Sequence, residues 1–318
     1  MVKVKRPFLI LTLTVLFLLN AASYIPSGSA AGGQTLYGCA HTGAGTGSPG
    51  PSTLYTINPS TGAATAVGLM GITGCSGLAF DSSGTLFAVG INPSTSLESL
   101  FTVNLLTGAA TLVGLSDQSS CGTPITDISF RPSDGTLFGY SAGCMGTINT
   151  STGVFTDLGS CTTAGNPTFP SCDFPDGDGL AFSSSNVLFY AECCHQGANK
   201  DTLYTINQGT GVASVLATIS TPPACSSSVA ETGLAFDGAG TLYGAVKCTG
   251  PTAFYLVTIS TSTAALTAIG ATQSGTDGLA WTPAAIIPEY PLGLPLLAIF
   301  MIIAYGLIKR RTRNPKNI

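Results

Sequence analysis

Six carboxylates in this 318-residue chain have the types and positions to do chemistry together. Asp127, Asp178, Glu231 and Asp277 each stand within two residues of the start of a short apolar run, and Asp173 and Asp176 lie just upstream in DFPDGDG. If those runs pack side by side around an axis, the acids gather at one mouth of the channel between them. A ring of carboxylate oxygens can hold Ca2+, and two carboxyl groups flanking one glycosidic bond can hydrolyse it. The spacing D-x-x-D-G-D is not that of an EF-hand loop, however, and the four run-starting acids are not in register. Solvated acids and strand-end caps are the alternative reading of the same residues.

Ten cysteines are the second candidate set. Cys121 and Cys144 flank one pair of apolar runs and Cys225 and Cys248 flank another, so each pair reads as a disulfide. Cys161 and Cys172 precede a third pair of runs that Cys193 and Cys194 follow, which predicts two links between these doublets. Cys39 and Cys75 remain and pair by elimination. Disulfides suit an exported chain. The alternative, a metal or redox cluster at CCH (193–195), lacks the C-x-x-C spacing of a zinc site. Nucleophilic catalysis has little to work with: His41 and His195 are the two histidines, and neither stands in a G-x-S-x-G context.

What must position these residues is a repeat. Four short strand patterns recur in fixed order. The first is GLAF (77–80), DISF (127–130), GLAF (179–182), GLAF (233–236) and GLAW (278–281). The second is LFAVG (86–90), LFGYS (137–141), LFYAE (188–192) and LYGAV (242–246). The third and fourth follow as LFTVN (100–104) with ATLVG (110–114), LYTIN (203–207) with ASVLA (213–217), and their equivalents. Turns such as DSSGT, DGAGT, NTSTG and NQGTG join first to second and third to fourth strands. An Asp or Asn that bonds local backbone, followed by a Gly at positive φ, is hairpin chemistry. Asp81 and Asp237 therefore read as turn-formers, and the glycosylation sequon at Asn149 falls in such a turn.

Four-strand meanders every 45 to 54 residues, with no helical period between them, predict an all-β fold: a five-bladed β-propeller over residues 31–285. Ahead of the first full unit, GGQTLYGCA (32–40), LYTIN (54–58) and AATAVG (63–68) supply the second, third and fourth strands of a unit lacking its first. GLAW supplies that missing strand, so three N-terminal strands and one C-terminal strand close the ring. A β-sandwich is the competing architecture, and it leaves the fixed repeat order unexplained. In this order the connections from second to third strand and from fourth strand to the next unit share one face. They carry the length variation and all ten cysteines. Variable loops on a rigid scaffold are where recognition concentrates.

Charge limits the partners. Between residues 31 and 287 only Arg131, Lys200 and Lys247 are basic against fourteen acids, a net charge of −11 for the body. Such a body repels phosphate backbones, which excludes nucleic acid as the expected partner. The remaining basic residues sit at the ends. Residues 1–30 have a basic start, an apolar run from Phe8 to Leu19 and small residues before Ala30, the layout of a signal peptide. A retained N-terminal anchor is the alternative.

Residues 286–318 hold PEYP, an apolar run from Leu292 to Ile308 and the cluster Lys309, Arg310, Arg311 and Arg313. This layout resembles the PEP-CTERM and PEF-CTERM sorting signals read by exosortases and archaeosortases, with Tyr290 a departure from the commonest forms. The resemblance implies a processing enzyme of that kind, cleavage near Pro288, Glu289, Tyr290 and Pro291, and transfer of the body to the cell envelope. The alternative is a permanent transmembrane helix held by the basic tail. The strands themselves resemble repeats of secreted propellers. The expected function is a surface binding module presenting its disulfide-stapled loop face to carbohydrate or envelope protein. The alternatives are a glycoside hydrolase or lyase using the channel-mouth acids, and a structural coat component.

Overall fold

A computed structural model describes residues 33–42, 49–115, 125–141, 144–158, 179–192, 202–220, 225, 229–248 and 252–283, all within the compact unit that ends at Ala284. The expected signal peptide, sorting segment and membrane span lie outside them. Among the described residues no helix is long and apolar enough to cross a membrane. Among the described residues every regular element is a strand, and all pairings are antiparallel.

The first strands are β1 (Leu36–His41), β2 (Pro51–Ile57), β3 (Ala64–Phe80), β4 (Leu86–Asn92), β5 (Leu97–Val103) and β6 (Ala110–Leu115). Three four-stranded sheets follow: β7 (Ile125–Phe130) to β10 (Phe155–Asp157) through β8 (Leu137–Ser141) and β9 (Cys144–Ile148); β11 (Gly179–Phe182), β12 (Leu188–Glu192), β13 (Thr202–Ile206) and β14 (Ala213–Thr218); and β15 (Val229–Phe236), β16 (Leu242–Cys248), β17 (Ala253–Ile259) and β18 (Leu266–Ala271). The last strand, β19 (Thr276–Trp281), returns to the start of the chain and pairs with β1. Leu36 faces Trp281 and Gly38 faces Leu279 in that ladder. Beyond it, Thr282 N–H donates to the Thr35 carbonyl at 2.9 Å and Thr35 N–H to Thr282 Oγ1 at 2.8 Å.

The sequence pattern separates residues 63–68 from 77–80 as strands of two different units. The structure corrects this: β3 runs unbroken through both and fuses their sheets into one of seven strands, β19-β1-β2-β3-β4-β5-β6. The connection MGITGCS stays paired because Thr73 faces Pro51 on one side and Ile91 on the other. Glycines at positive φ, Gly71 and Gly74, turn the strand without ending it.

The turns follow their chemistry. Asp81 Oδ1 accepts the Ser83 and Thr85 amides at 2.9 and 2.8 Å, and Asp237 Oδ1 accepts those of Ala239 and Thr241 at 3.0 and 2.7 Å. Asn58, Asn104, Asn149 and Asn207 each open a third-to-fourth turn and accept the amide two residues on at 2.9 Å. All six side chains are used up in shaping hairpins.

Sheets meet through an aromatic pair repeated around the unit. The aromatic second residue of each second strand packs against the aromatic last residue of the next first strand. The pairs are Tyr37–Phe80, Phe87–Phe130, Phe138–Phe182, Phe189–Phe236 and Tyr243–Trp281, with centroids 5.2–5.7 Å apart. Edge-on and tilted rings at this distance attract beyond the area they bury. The fifth pair joins β16 to β19 and thus the last full sheet to the strand that pairs with β1.

A second recurring contact is backbone on backbone. A methyl group built on Gly114 would stand 1.8 Å from the Thr152 carbonyl oxygen, one on Gly68 would stand 2.1 Å from that of Thr107, and one on Gly270 2.1 Å from that of Thr61. These three fourth strands thus lie against the Thr-Gly turn of the following unit, and Gly270 carries that contact from β18 back to the turn after β2.

Trp281 is 7% exposed, and its Nε1 is buried with no hydrogen-bond partner among the described residues. Its worth is therefore packing. Trp281→Phe is expected to keep stability within about 1 kcal/mol of wild type, while Trp281→Ala costs about 3–5 kcal/mol. Thermal unfolding distinguishes them, and a phenylalanine variant as damaged as alanine would mean that the indole N–H is bonded.

Candidate functional site

The innermost strands explain where the acids go. Gly77 faces Val89, Asp127 faces Tyr140, Gly179 faces Ala191, Gly233 faces Ala245 and Gly278 faces Cys39, each the fourth residue of its second-strand pattern. These five positions are therefore equivalent, and four hold glycine where one holds aspartate. The crowding is severe. A methyl on Gly77 would stand 2.8 Å from Asp127 Cα, one on Gly179 2.5 Å from Leu234 Cγ, one on Gly233 2.7 Å from the Asp277 carbonyl oxygen and one on Gly278 2.9 Å from the Gly77 backbone. The layer has room for one side chain, and Asp127 is that side chain.

Asp127 is fully buried. Its Oδ1 accepts the Ile128 amide and its Oδ2 the Leu180 amide, both at 2.8 Å, and the Leu234 amide also bonds it. The carboxyl reaches from β7 to β11 and β15 and satisfies N–H groups that the inner edges of those strands leave unpaired. Ser129 Oγ accepts the Phe182 amide at 3.0 Å, and Ser76 Oγ donates to the Ile125 carbonyl at 2.6 Å. Burial pushes the Asp127 carboxyl well above the usual aspartate range; the three amides oppose that shift and the Asp277 charge adds to it. Beneath this layer lies a cavity of about 110 Å3, lined by Leu78–Phe80, Ile128–Phe130, Ala181 with Phe182, Leu234–Phe236 and Leu279–Trp281. Residues of all five of these strands thus line one cavity.

Asp277, also buried, precedes the glycine position and meets His41 on β1, with Oδ2 3.2 Å from Nε2. His41 Nδ1 lies 3.2 Å from the Thr42 carbonyl oxygen. Asp173, Asp176 and Asp178 lie outside the described residues, as does the side chain of Glu231. Among the described residues no group of three or more His, Cys, Asp or Glu is placed to hold a metal ion. The structure joins Cys39 to Cys75 and Cys225 to Cys248. Cys121, Cys161, Cys172, Cys193, Cys194 and the side chain of Cys144 fall outside the described residues.

The variable face carries a cavity that the sequence did not announce. It measures about 370 Å3 and is bounded by the ends of β1, β2, β16 and β17 with the 273–275 turn; His41, Tyr55, Lys247, Thr252, Phe254 and Gln273 are among its walls. The volume falls in the range of small-ligand sites. Arg131, by contrast, serves the opposite face: its Nε donates to Asp134 Oδ1 at 2.9 Å and Nη1 to Gln208 Oε1 at 3.0 Å, while the guanidinium lies 5.0 Å from the Phe138 ring centroid.

No protein-family model matches this chain, and no curated protein matches it. Among solved structures, one in a nidogen/laminin complex aligns at 12% identity over 79% of this chain and 98% of that one, with a TM-score of 0.47. A protein of unknown function from Bacteroides caccae aligns at 9% identity over 78% and 98%, TM-score 0.43. Regucalcin from Agrobacterium tumefaciens, a calcium-binding protein, aligns at 17% identity over 64% and 63%, TM-score 0.36. Identities and scores this low leave the functional reading to the chain's own geometry.

Proposed function

We propose that this chain is an exported, surface-attached five-bladed β-propeller that works as a binding module through its variable-loop face. The fifth blade is β19 with β1, β2 and the first half of β3. The aromatic pairs support this count, since they run in a cycle of five. The contact of Gly270 with the turn at Thr61 and Gly62 supports it independently.

The observation that carries the function is the filled axis. Among the described residues, Asp127 and four crowded glycines close the channel to a ligand, and the cavity on the variable face is an open site. A glycosidase needs two carboxyl groups that reach substrate. Asp127 is spent on backbone amides inside the hub. The disulfides Cys39–Cys75 and Cys225–Cys248 fit the oxidising compartment that an exported module meets. Attachment comes from residues 286–318, either as an anchor or after cleavage by an exosortase- or archaeosortase-like enzyme near Pro288–Pro291.

A glycan array with an envelope-protein overlay, probed with the exported protein, tests the reading. Saturable binding without turnover is expected. Glycan hydrolysis would install the enzyme reading, and ordered self-assembly with no ligand would install the coat reading. The intact mass of native protein shows whether residues beyond Pro288 remain.

A further inference from the structure

Resting on the reading of this chain as exported, we infer that Asn149 carries an N-linked oligosaccharide on the face opposite the variable loops. Three observations meet at its turn.

The first is the local sequence. An acceptor asparagine needs a hydroxyl residue two positions on and no proline between. Asn149-Thr150-Ser151 is the one such triad in the chain, because Asn58, Asn92 and Asn166 have the hydroxyl residue but are followed by proline. Proline fixes φ and removes an N–H at the middle position.

The second is a comparison among equivalent turns. Asn58, Asn104, Asn149, Asn207 and Ser260 open the five third-to-fourth turns among the described residues, and each side-chain oxygen accepts the amide two residues on. The fold treats these five positions alike, and their neighbours distinguish them. Pro59 follows Asn58, Leu106 and Gly209 stand where Asn104 and Asn207 would need a hydroxyl, and Ser260 has no carboxamide. Asn149 alone of the five completes an acceptor.

The third is how the turn presents the reacting atom. Asn149 and Ser151 are both exposed. Asn149 Oδ1 accepts the Ser151 amide at 2.9 Å and the Thr152 amide at 3.1 Å, and the Asn149 N–H donates to the Val154 carbonyl at 2.9 Å. Two N–H donors identify the inward atom of the carboxamide as its oxygen, so Nδ2 is the outward one. The hairpin uses the oxygen of this side chain and not its nitrogen. A sugar can therefore join Nδ2 without costing the turn a bond. Behind it, the Thr152 carbonyl and the Gly153 backbone lie against Gly114, so the turn is seated on its neighbour through backbone alone.

In the transfer, Nδ2 bonds to the anomeric carbon of an oligosaccharide carried on a lipid phosphate. The bond from that carbon to the phosphate oxygen breaks, its electron pair leaves with the phosphate, and Nδ2 gives up one of its two protons. The product is a bulky, hydrated group on the short-turn face. The cavity on the variable face stays open.

Mass spectrometry of the protein isolated from its own cells tests the inference. The peptide between Arg131 and Lys200 is expected to carry an added mass of whole sugar units at Asn149. Asn149→Gln and Ser151→Ala should each abolish it, and Ser151→Thr should keep it. Leu106 is 90% exposed, and Leu106→Thr builds the same triad on Asn104, so a second increment is expected there. Ser151→Ala keeps the backbone amide that bonds Asn149, so its melting temperature should stay near wild type; should Asn149→Gln fail to fold, Ser151→Ala decides alone. A bare Asn149 in protein that has lost residues 1–30 and holds its disulfides overturns the inference and leaves export standing. An increment that survives Ser151→Ala overturns it as well. A bare Asn149 in protein that retains residues 1–30 with reduced Cys39 and Cys75 removes both the inference and the export on which it rests.

Discussion

A chain ending at Ala271 is expected to lose cooperative folding altogether, while one ending at Pro283 keeps the full melting temperature. The two differ only by β19 and its flanks. All six residues of β19 are buried, among them Leu279, Ala280 and Trp281. Loss of a packed Trp side chain alone costs about 3–5 kcal/mol and of a buried Leu about 2–5 kcal/mol. A domain's whole margin is about 5–15 kcal/mol, so removing both, together with five residues of ladder, exhausts it. The deletion also exposes β1 as an unpaired edge and opens the hub, because β19 brings Gly278 against the Gly77 backbone. Circular dichroism melts provide the measurement. A peptide of residues 272–283 added in trans should restore the transition, with a blue shift of Trp281 emission as the ring enters its place against Tyr243. If the Ala271 chain melts cooperatively within a few degrees of the Pro283 chain, the β1–β19 ladder does not hold the unit together.

Much of this architecture was legible as periodicity. The strand order and the Asp- and Asn-capped turns follow from local patterns that survive into the fold, since each is set by chemistry within a few residues, and the return of GLAW to the N-terminal strands follows from matching an incomplete first repeat to a lone last strand. The aromatic cycle was legible too. The last letter of GLAF and GLAW is always aromatic, as is the second letter of LF and LY, at a spacing that repeats with the unit. The hub was written more faintly. DISF departs from GLAF at its first three letters, and the two polar departures, Asp127 and Ser129, are the side chains that bond amides of β11. A break in a repeat marked the place where five equivalent positions cannot be filled alike.

What stayed hidden is whatever depends on packing between distant segments. The continuity of β3 rests on Thr73 being paired on both sides, which no local pattern encodes. The His41–Asp277 contact spans 236 residues. The cavity beside Lys247 is a gap between two sheets, and gaps have no sequence signature. The acids at the strand starts were legible as a set but not as a site, because one residue of register decides whether a carboxyl enters the hub, as Asp127 does, or turns aside, as Asp277 does toward His41 at the end of β1.

Asp127 provides the second large effect. Replacing it with leucine leaves the Ile128, Leu180 and Leu234 amides buried without their acceptor, at about 1–3 kcal/mol for each. Asparagine fits the space but brings one acceptor oxygen and an NH2 group, so one of those amides faces a donor. The expected order of stability is wild type above Asp127→Asn above Asp127→Leu, read from denaturant midpoints. The pH dependence separates the carboxyl from mere packing. Burial holds the folded carboxyl well above its ordinary range, so the folded state binds the proton more tightly than the unfolded chain. The resulting stability is fully present below the ordinary aspartate value of about 3.9 and is lost as pH rises through the raised folded value. The gap between wild type and Asp127→Asn should therefore be widest near pH 4 and narrow toward neutral pH, since asparagine has no proton to lose. A neutral acid keeps an acceptor at each of its two oxygens, because its protonated oxygen still accepts through the remaining lone pair, and the asparagine NH2 cannot match that. Parallel pH curves for the two proteins would place the proton elsewhere, on Asp277 or His41, and the hub would then owe its closure to a buried carboxylate rather than to an acid.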